Sequence, residues 1–230
     1  MPYRRTDAIA RRLASKREEI VAAAGAAAAE GGMVALQIAP VAQRAGIAAG
    51  TVYRYFPAKS DLVAALIAAT AERDTAAIRK AASTAPGPLS GLAAAIAVYA
   101  AGLAVQKRLA WAIIGEPADP EIDDARRAYR VALSKELQAW LIPAMQARHL
   151  PDQNAGLSAS ALLGALIEGI IGPLATNGQE APGHDTVQNL TLFALRALGV
   201  PDARARGLVV QAVVHGPPVQ NDSLFIRPLT

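Results

Sequence analysis

A chain of 230 residues without a cysteine excludes disulfide frameworks, thiolate metal sites and a cysteine nucleophile. Hydrophobic residues make up 53% of it and aromatics only 4%. Alanine, the best helix former and a poor strand former, dominates the apolar set, so composition predicts an all-α protein. The net charge of +4 is uneven: residues 1–62 carry nine Lys and Arg against five acids, and residues 63–230 carry fourteen of each sign. A basic module on a neutral body is the footprint of phosphate-backbone binding, although a solubilising basic tail would have the same charge.

In chain order, residues 1–15 read as a basic, polar and partly helical arm. No apolar export core follows it, which together with the absence of cysteine fits a cytoplasmic protein. From Lys16 to Glu30, Ile20, Val21, Ala24, Ala27 and Ala28 follow helical spacing, and Gly31-Gly32 predicts the stop. Two short helices fit Ile38–Ala45 and Ala49–Phe56, separated by Gly46 and closed by Pro57. Lys59 opens a longer helix with Leu62, Leu66, Ala69 and Arg73 on successive turns, reaching about Ser83. Ala85-Pro-Gly-Pro-Leu89 is a linker. A helix is expected over Leu92–Arg108, continuing to Ile114, then a loop at 115–120. A long amphipathic helix fits Glu121–Met145, with Pro143 able to kink its last turn. Helices over Leu157–Leu174 and His184–Leu198 flank a polar loop with Asn177-Gly178. A short helix over Asp202–Val214 precedes an irregular tail at 216–230. The charge-free stretch Ala81–Gln106 reads as a loop and a buried helix, not a membrane span. The expected division is an arm (1–15), a three-helix module (16–62) with a connecting helix to about 83, and a larger helical bundle (84–215).

The segment Val41-Ala-Gln-Arg-Ala-Gly-Ile-Ala-Ala-Gly-Thr-Val-Tyr-Arg-Tyr-Phe56 has the layout of a helix-turn-helix. Gly46 supplies the positive φ of a sharp turn. Val41, Ala42 and Ala45 face the second helix, and Ile47 and Val52 fill the space behind it. That second helix would enter the major groove, with Ala48, Ala49, Thr51, Tyr53, Arg54 and Tyr55 outward. Arg54 suits a phosphate or a bidentate contact to guanine. Tyr53 and Tyr55 can donate to phosphates, and Thr51 can meet a phosphate or a thymine methyl. Lys59 stands where a helix N-terminus and a positive charge coincide. Gln37 and Arg44 complete the candidate DNA-binding set.

The block from Lys16 to Leu62 resembles the DNA-binding domain of tetracycline-repressor-like (TetR) regulators. The resemblance rests on the helix ending at Gly31-Gly32, on Val41-Ala-Gln-Arg-Ala-Gly-Ile47, on Gly50-Thr-Val-Tyr-Arg-Tyr-Phe-Pro57, and on Lys59 followed by Leu62. It implies that Thr51, Tyr53, Arg54 and Lys59 take DNA-contact positions. It also implies a homodimer on double-stranded operator DNA, acting as a repressor, with a C-terminal domain that often binds a small effector. Three features depart from the pattern: Leu36-Gln37 replaces a Ser or Thr cap, Pro40 replaces a polar residue, and Ala48 and Ala49 put fewer polar groups on the groove face.

For the second domain, Tyr99, Leu103, Trp111, Tyr129, Trp140 and Phe193 are candidates for an apolar pocket, with Arg108 and Glu168 able to orient a ligand. The same aromatics at helical spacing would serve equally as core. Ala161, Ala165, Gly169 and Gly172 form a stripe of small residues; with Leu190 and Phe193 they are the candidate dimer interface. Neither an enzyme nor a metal or cofactor site is expected: His149, His184 and His215 lie far apart, and the acids Asp119, Glu121, Asp123 and Asp124 suit a helix start. The remaining alternatives are an effector-independent DNA-binding regulator and a non-enzymatic helical adaptor.

Overall fold

The computed structural model describes residues 3–172 and 184–215; the expected loop around Asn177-Gly178 and the expected tail lie outside them. The described residues form helices and turns with no strand. Helix α1 spans Tyr3–Ala35, α2 Ile38–Arg44, α3 Ala49–Tyr55 and α4 Lys59–Ser83. Helices α5 (Pro88–Val105), α6 (Lys107–Ile114), α7 (Asp123–Gln146), α8 (Ala155–Ile171), α9 (His184–Ala197) and α10 (Asp202–His215) follow, with a 3-10 turn at Pro120–Ile122.

The first three helices pack around Ile20, Ala24, Ala27, Val41, Val52 and Phe56, all buried. Gly46 has φ 65°, a left-handed conformation that brings α3 across α2. The Ile47 N–H then donates to the Ala42 carbonyl at 3.0 Å, closing the corner. Neither α2 nor α3 has a side-chain N-cap, because Gln37 and Ala48 precede them. Helix α4 starts on a firmer footing: the Asp61 carboxylate accepts from the Ala58 N–H at 2.9 Å.

Helix α4 belongs to both halves of the molecule. Leu62, Val63, Leu66 and Ile67 are buried near its start, and Ile78 and Ala82 near its end. At 25 residues it is about 37 Å long. Beyond it, α5 is apolar almost all round and becomes the axial helix of the bundle, packed by α4, α7, α8, α9 and α10. It is long and apolar enough to cross a membrane, but more than half of it is buried inside the bundle, the setting of a core helix. Gly91 matters here: a side chain there would crowd the Ala82 carbonyl oxygen at 3.1 Å and the Trp140 ring at 3.3 Å.

Two expectations need correction. The arm is not separate from α1, since the helix runs unbroken from Tyr3 through residue 15 and beyond. And α5 begins inside the expected linker, because Pro88 occupies its first turn, where a missing N–H costs nothing. Pro143 is accommodated within α7, which continues to Gln146.

The glycines of the corner separate strain from propensity. At neither Gly46 nor Gly50 would an added Cβ come within 4 Å of a non-neighbouring atom, but only Gly46 has positive φ. Gly46→Ala is expected to destabilise by about 1 kcal/mol, and Gly50→Ala, within α3, to stabilise by roughly 0.5–1 kcal/mol. Urea unfolding of the two variants measures both.

Candidate nucleic-acid interface

The outward face of α3 is open. Tyr53 is 51% exposed, Ala48, Gly50 and Arg54 are exposed, and Thr51, Ala49 and Lys59 are half-buried. Tyr55 is half-buried and packs against the core, so its ring serves the domain as well as any contact. Arg44 and Gln37 are exposed, and each has a partner within the chain: the Arg44 guanidinium pairs with Glu30, and the Gln37 amide donates to the Val34 carbonyl at 3.3 Å. At the far end of α3, the Arg17 guanidinium lies 4.9 Å from the centre of the Phe56 ring, a cation–π contact that fixes α1 against the end of the helix. Fewer polar groups face outward than a Lys- or Ser-bearing surface would offer, but Arg54, Tyr53 and Lys59 remain available as donors.

The family profile described as "Bacterial regulatory proteins, tetR family" matches residues 20–66. The match runs from the middle of α1 into α4 and takes in the whole two-helix corner. No curated protein matches the chain by sequence. Solved structures show that the tetR-type fold extends through the bundle. RolR bound to resorcinol has a TM-score of 0.64 and 20% identity, covering 87% of this chain and 95% of that one. FadR from Bacillus subtilis, in complex with stearoyl-CoA, has a TM-score of 0.65 and 22% identity, over 78% and 96%. A TetR-family regulator from Agrobacterium tumefaciens has a TM-score of 0.64 and 23% identity, over 81% and 98%.

The tetR-type module is joined to the bundle by more than α4. At Gly32 (φ 70°, ψ −158°) α1 breaks direction, leaving backbone groups that an unbroken helix would have paired. Arg108 of α6 donates to the Gly31 carbonyl at 3.0 Å, and the Glu116 carboxylate accepts from the Met33 N–H at 3.1 Å. Arg108 and Glu116 also pair with each other at 3.6 Å. A side chain at position 32 would collide with the Arg108 guanidinium and lie 2.6 Å from Glu116 Oε2. The end of α6 is held in turn by Arg126 of α7, which donates to the carbonyls of Ile113 (2.8 Å), Ala112 (3.1 Å) and Glu116 (2.6 Å). Burial lowers the Arg126 pKa, opposed by the Asp123 and Glu116 charges; an arginine stays cationic regardless.

Of the expected pocket residues, Tyr99 and Tyr129 meet, and the others are spread over the bundle. Tyr99, Leu103 and Tyr129 are buried between α5 and α7. There the two hydroxyls lie 3.3 Å apart, and Tyr129 donates to Asp74 of α4 at 2.9 Å. Asp74 also pairs with Arg73 at 2.9 Å, and Arg73 donates to the Gln106 side-chain carbonyl at 3.0 Å. Trp140 packs against Gly91 and donates to Glu136 at 3.3 Å. Trp111 covers Gly115, Arg108 serves the α1 break, Glu168 is exposed beside Gly172, and Phe193 is 55% exposed on α9. The small-residue stripe also divides. Ala161 faces solvent and Ala165 is half-buried. Gly169 receives Leu190 of the same chain, which would sit 2.8 Å from an added Cβ, and Gly172 is buried at the end of α8. Gly164, which the sequence pattern did not single out, is exposed on the same side as Ala161 with open space around it. Among the described residues no group of three His, Asp or Glu side chains converges as metal ligands do. The acids Asp123 and Asp124 occupy the first turn of α7.

Two outcomes follow from these contacts. Glu116→Ala strips the Met33 N–H and Arg108 of their partner and is expected to cost about 1–3 kcal/mol. Glu116→Gln, which keeps an acceptor, should cost less; chemical denaturation ranks them. Burial pushes both tyrosine hydroxyls above their ordinary pKa of 10.0, and the Asp74 charge adds to the shift. A pKa raised by folding gives stability that is complete below pH 10 and is lost as pH rises past it. The wild-type chain should therefore lose stability above about pH 10 more steeply than Tyr99→Phe/Tyr129→Phe, by up to about 1.4 kcal/mol per pH unit per group. Below about pH 9 the two curves should run parallel.

Proposed function

We propose that the chain is a dimeric, sequence-specific DNA-binding transcriptional repressor of the cytoplasm, released from its operator by a small apolar effector held in the α4–α10 bundle. The observation that carries the reading is the open α3 face. Arg54 and Tyr53 project from a two-helix corner whose turn is fixed by Gly46, within the segment that matches the tetR family profile. Thr51, Ala48 and Ala49 supply methyl and hydroxyl groups suited to thymine methyls and phosphates.

Dimerisation is supported by the exposed surface of α8 and α9, where Leu157, Ala161 and Gly164 lie on one helix and Phe193 on the other. An exposed aromatic on one helix and a glycine with open space on the other suit a close helix approach by a second copy. Such a dimer would set two α3 helices about 34–36 Å apart, one turn of DNA. The effector reading is supported by the resorcinol and stearoyl-CoA held by two structural neighbours. It is also supported by the Tyr99–Tyr129–Asp74 chain, which ties α5 and α7 to α4, the helix that enters the tetR-type module. A ligand competing for those hydroxyls would change what holds α4 in place, and so shift the population of DNA-competent dimers.

Fluorescence anisotropy with the DNA upstream of the chain's own gene tests this. Two chains should bind per site with sequence preference over random duplex. Arg54→Ala should weaken specific binding by about 1–3 kcal/mol, roughly 5–150-fold, and flatten that preference. Equal affinity for random and cognate duplex would overturn it in favour of a helical adaptor.

A further inference from the structure

His149 has no part in the recognition corner or in the joint to the bundle. Its Nδ1, alone among the buried side-chain nitrogens and oxygens of the described residues, has no hydrogen-bond partner. The turn that ends α7 puts it there. Arg148 is left-handed, with φ 57°, and the N–H groups of Arg148 and His149 donate back to the carbonyls of Met145 (2.8 Å) and Ala144 (3.0 Å). In the interior an unpaired lone pair costs less than an unpaired N–H, so the ring proton of neutral His149 belongs on Nε2. Nε2 is itself neither buried nor partnered among the described residues, so the imidazole has one N–H to offer.

That ring is part of the wall of a cavity of about 410 Å³, where the turn from α4 into α5, the residues just beyond α7 and one face of α10 come together. Three kinds of donor line it, and no acid does. His149 is the first. Arg204 of α10 is the second; it is exposed and has no ion-pair or hydrogen-bond partner among the described residues. Asp202, the acid on the same helix, is taken by Arg196 and Arg206. The third is the first turn of α5. Pro88 has no N–H and Gly91 donates to the Gly87 carbonyl at 2.8 Å, which leaves the N–H groups of Leu89 and Ser90 at the positive end of the helix. Pro86, Leu89 and Leu208 contribute apolar wall.

We infer that this cavity is a binding site for a small organic carboxylate with an apolar body, held by the Arg204 guanidinium and His149 Nε2 beside the start of α5. One full cation with neutral donors matches a monoanion better than a phosphate dianion, and a planar guanidinium can take a carboxylate through two parallel bonds. The volume lies within the range of small-molecule sites. Ser90 precedes Tyr99 by about 13 Å along α5, so the site is separate from the Tyr99–Tyr129–Asp74 chain. It does not rest on the DNA-binding reading. A bound carboxylate would tie the turn between α4 and α5 to α10 and to the end of α7.

The probe is benzoate, titrated calorimetrically into the full chain at constant ionic strength, beside its neutral analogue benzamide and inorganic phosphate. Benzoate is expected to bind with a Kd of about 0.1–1 mM and to raise the melting temperature, with the other two about tenfold weaker or more. Arg204→Gln, an exposed change that should leave the melting temperature of the free chain as it is, is expected to weaken benzoate about tenfold. His149→Leu, which has no donor, should lose about five- to tenfold, and His149→Gln, which keeps one, should stay within about threefold of the parent. Arg54→Gln, on the α3 face, should bind benzoate as the parent does. Benzoate binding to Arg204→Gln as tightly as to the parent would overturn the inference, as would a loss in Arg54→Gln equal to that in Arg204→Gln. Benzamide or phosphate matching benzoate would overturn the carboxylate assignment, and no binding of benzoate up to about 10 mM would overturn the site itself.

Discussion

The grip of Arg108 and Glu116 on the break in α1 is the contact on which the arrangement of the two halves depends. A helix that changes direction leaves an N–H and a carbonyl without partners, and burying them unpaired is costly. Here the carbonyl of Gly31 is taken by a cation of α6, and the N–H of Met33 by an anion just beyond the end of that short helix. Only glycine at position 32 permits it, both for its φ and because the ion pair occupies the volume of a Cβ. Arg126 then fixes the other side of α6 through three carbonyls. A continuous hydrogen-bonded route thus runs from α7 through α6 into α1, alongside the route through α4.

The two routes differ in chemistry. The α4 route is a buried polar chain, Tyr99–Tyr129–Asp74, in which each hydroxyl has a nearby acceptor and neutral tyrosine is enforced by burial. The α6 route is mostly backbone held by charged side chains that remain partly wet. The first is sensitive to anything that inserts a polar group between α5 and α7. The second is sensitive to the angle of α6. The tetR-type module meets both, since α1 and α4 pack on each other.

Much of this is legible in the sequence where a local signal has only one physical meaning. Gly46 between two short apolar patterns specifies the corner, and the run from Lys59 to Ser83 specifies α4 at both ends. The arm is harder: Ser15 with Glu18 three residues on has the pattern of a helix start, but Arg and Ala are strong helix formers and no Gly or Pro lies between Tyr3 and Lys16, so α1 begins at Tyr3. Pro88 reads as a linker residue yet forms the first turn of α5, because proline serves both. Pocket and interface candidates rest on residue type, and type does not say which neighbour a helix face meets. Trp140 meets Gly91, Gly169 meets Leu190, and Arg108 meets a carbonyl 77 positions away in sequence. Those are facts of tertiary packing.

The buried side chains from Ile20 to Val209 form one connected cluster, with no seam between the tetR-type module and the bundle. A cut after Leu62 or Leu66, where a domain boundary would conventionally be drawn, would strip the apolar face of α1 and the break at Gly32 of their cover. Grafting this bundle onto a different N-terminal head therefore requires more than matching α4. The donor head must bring a glycine at the corresponding break, or α6 must be transplanted with it. Functional exchange between such proteins is limited by this joint rather than by either end.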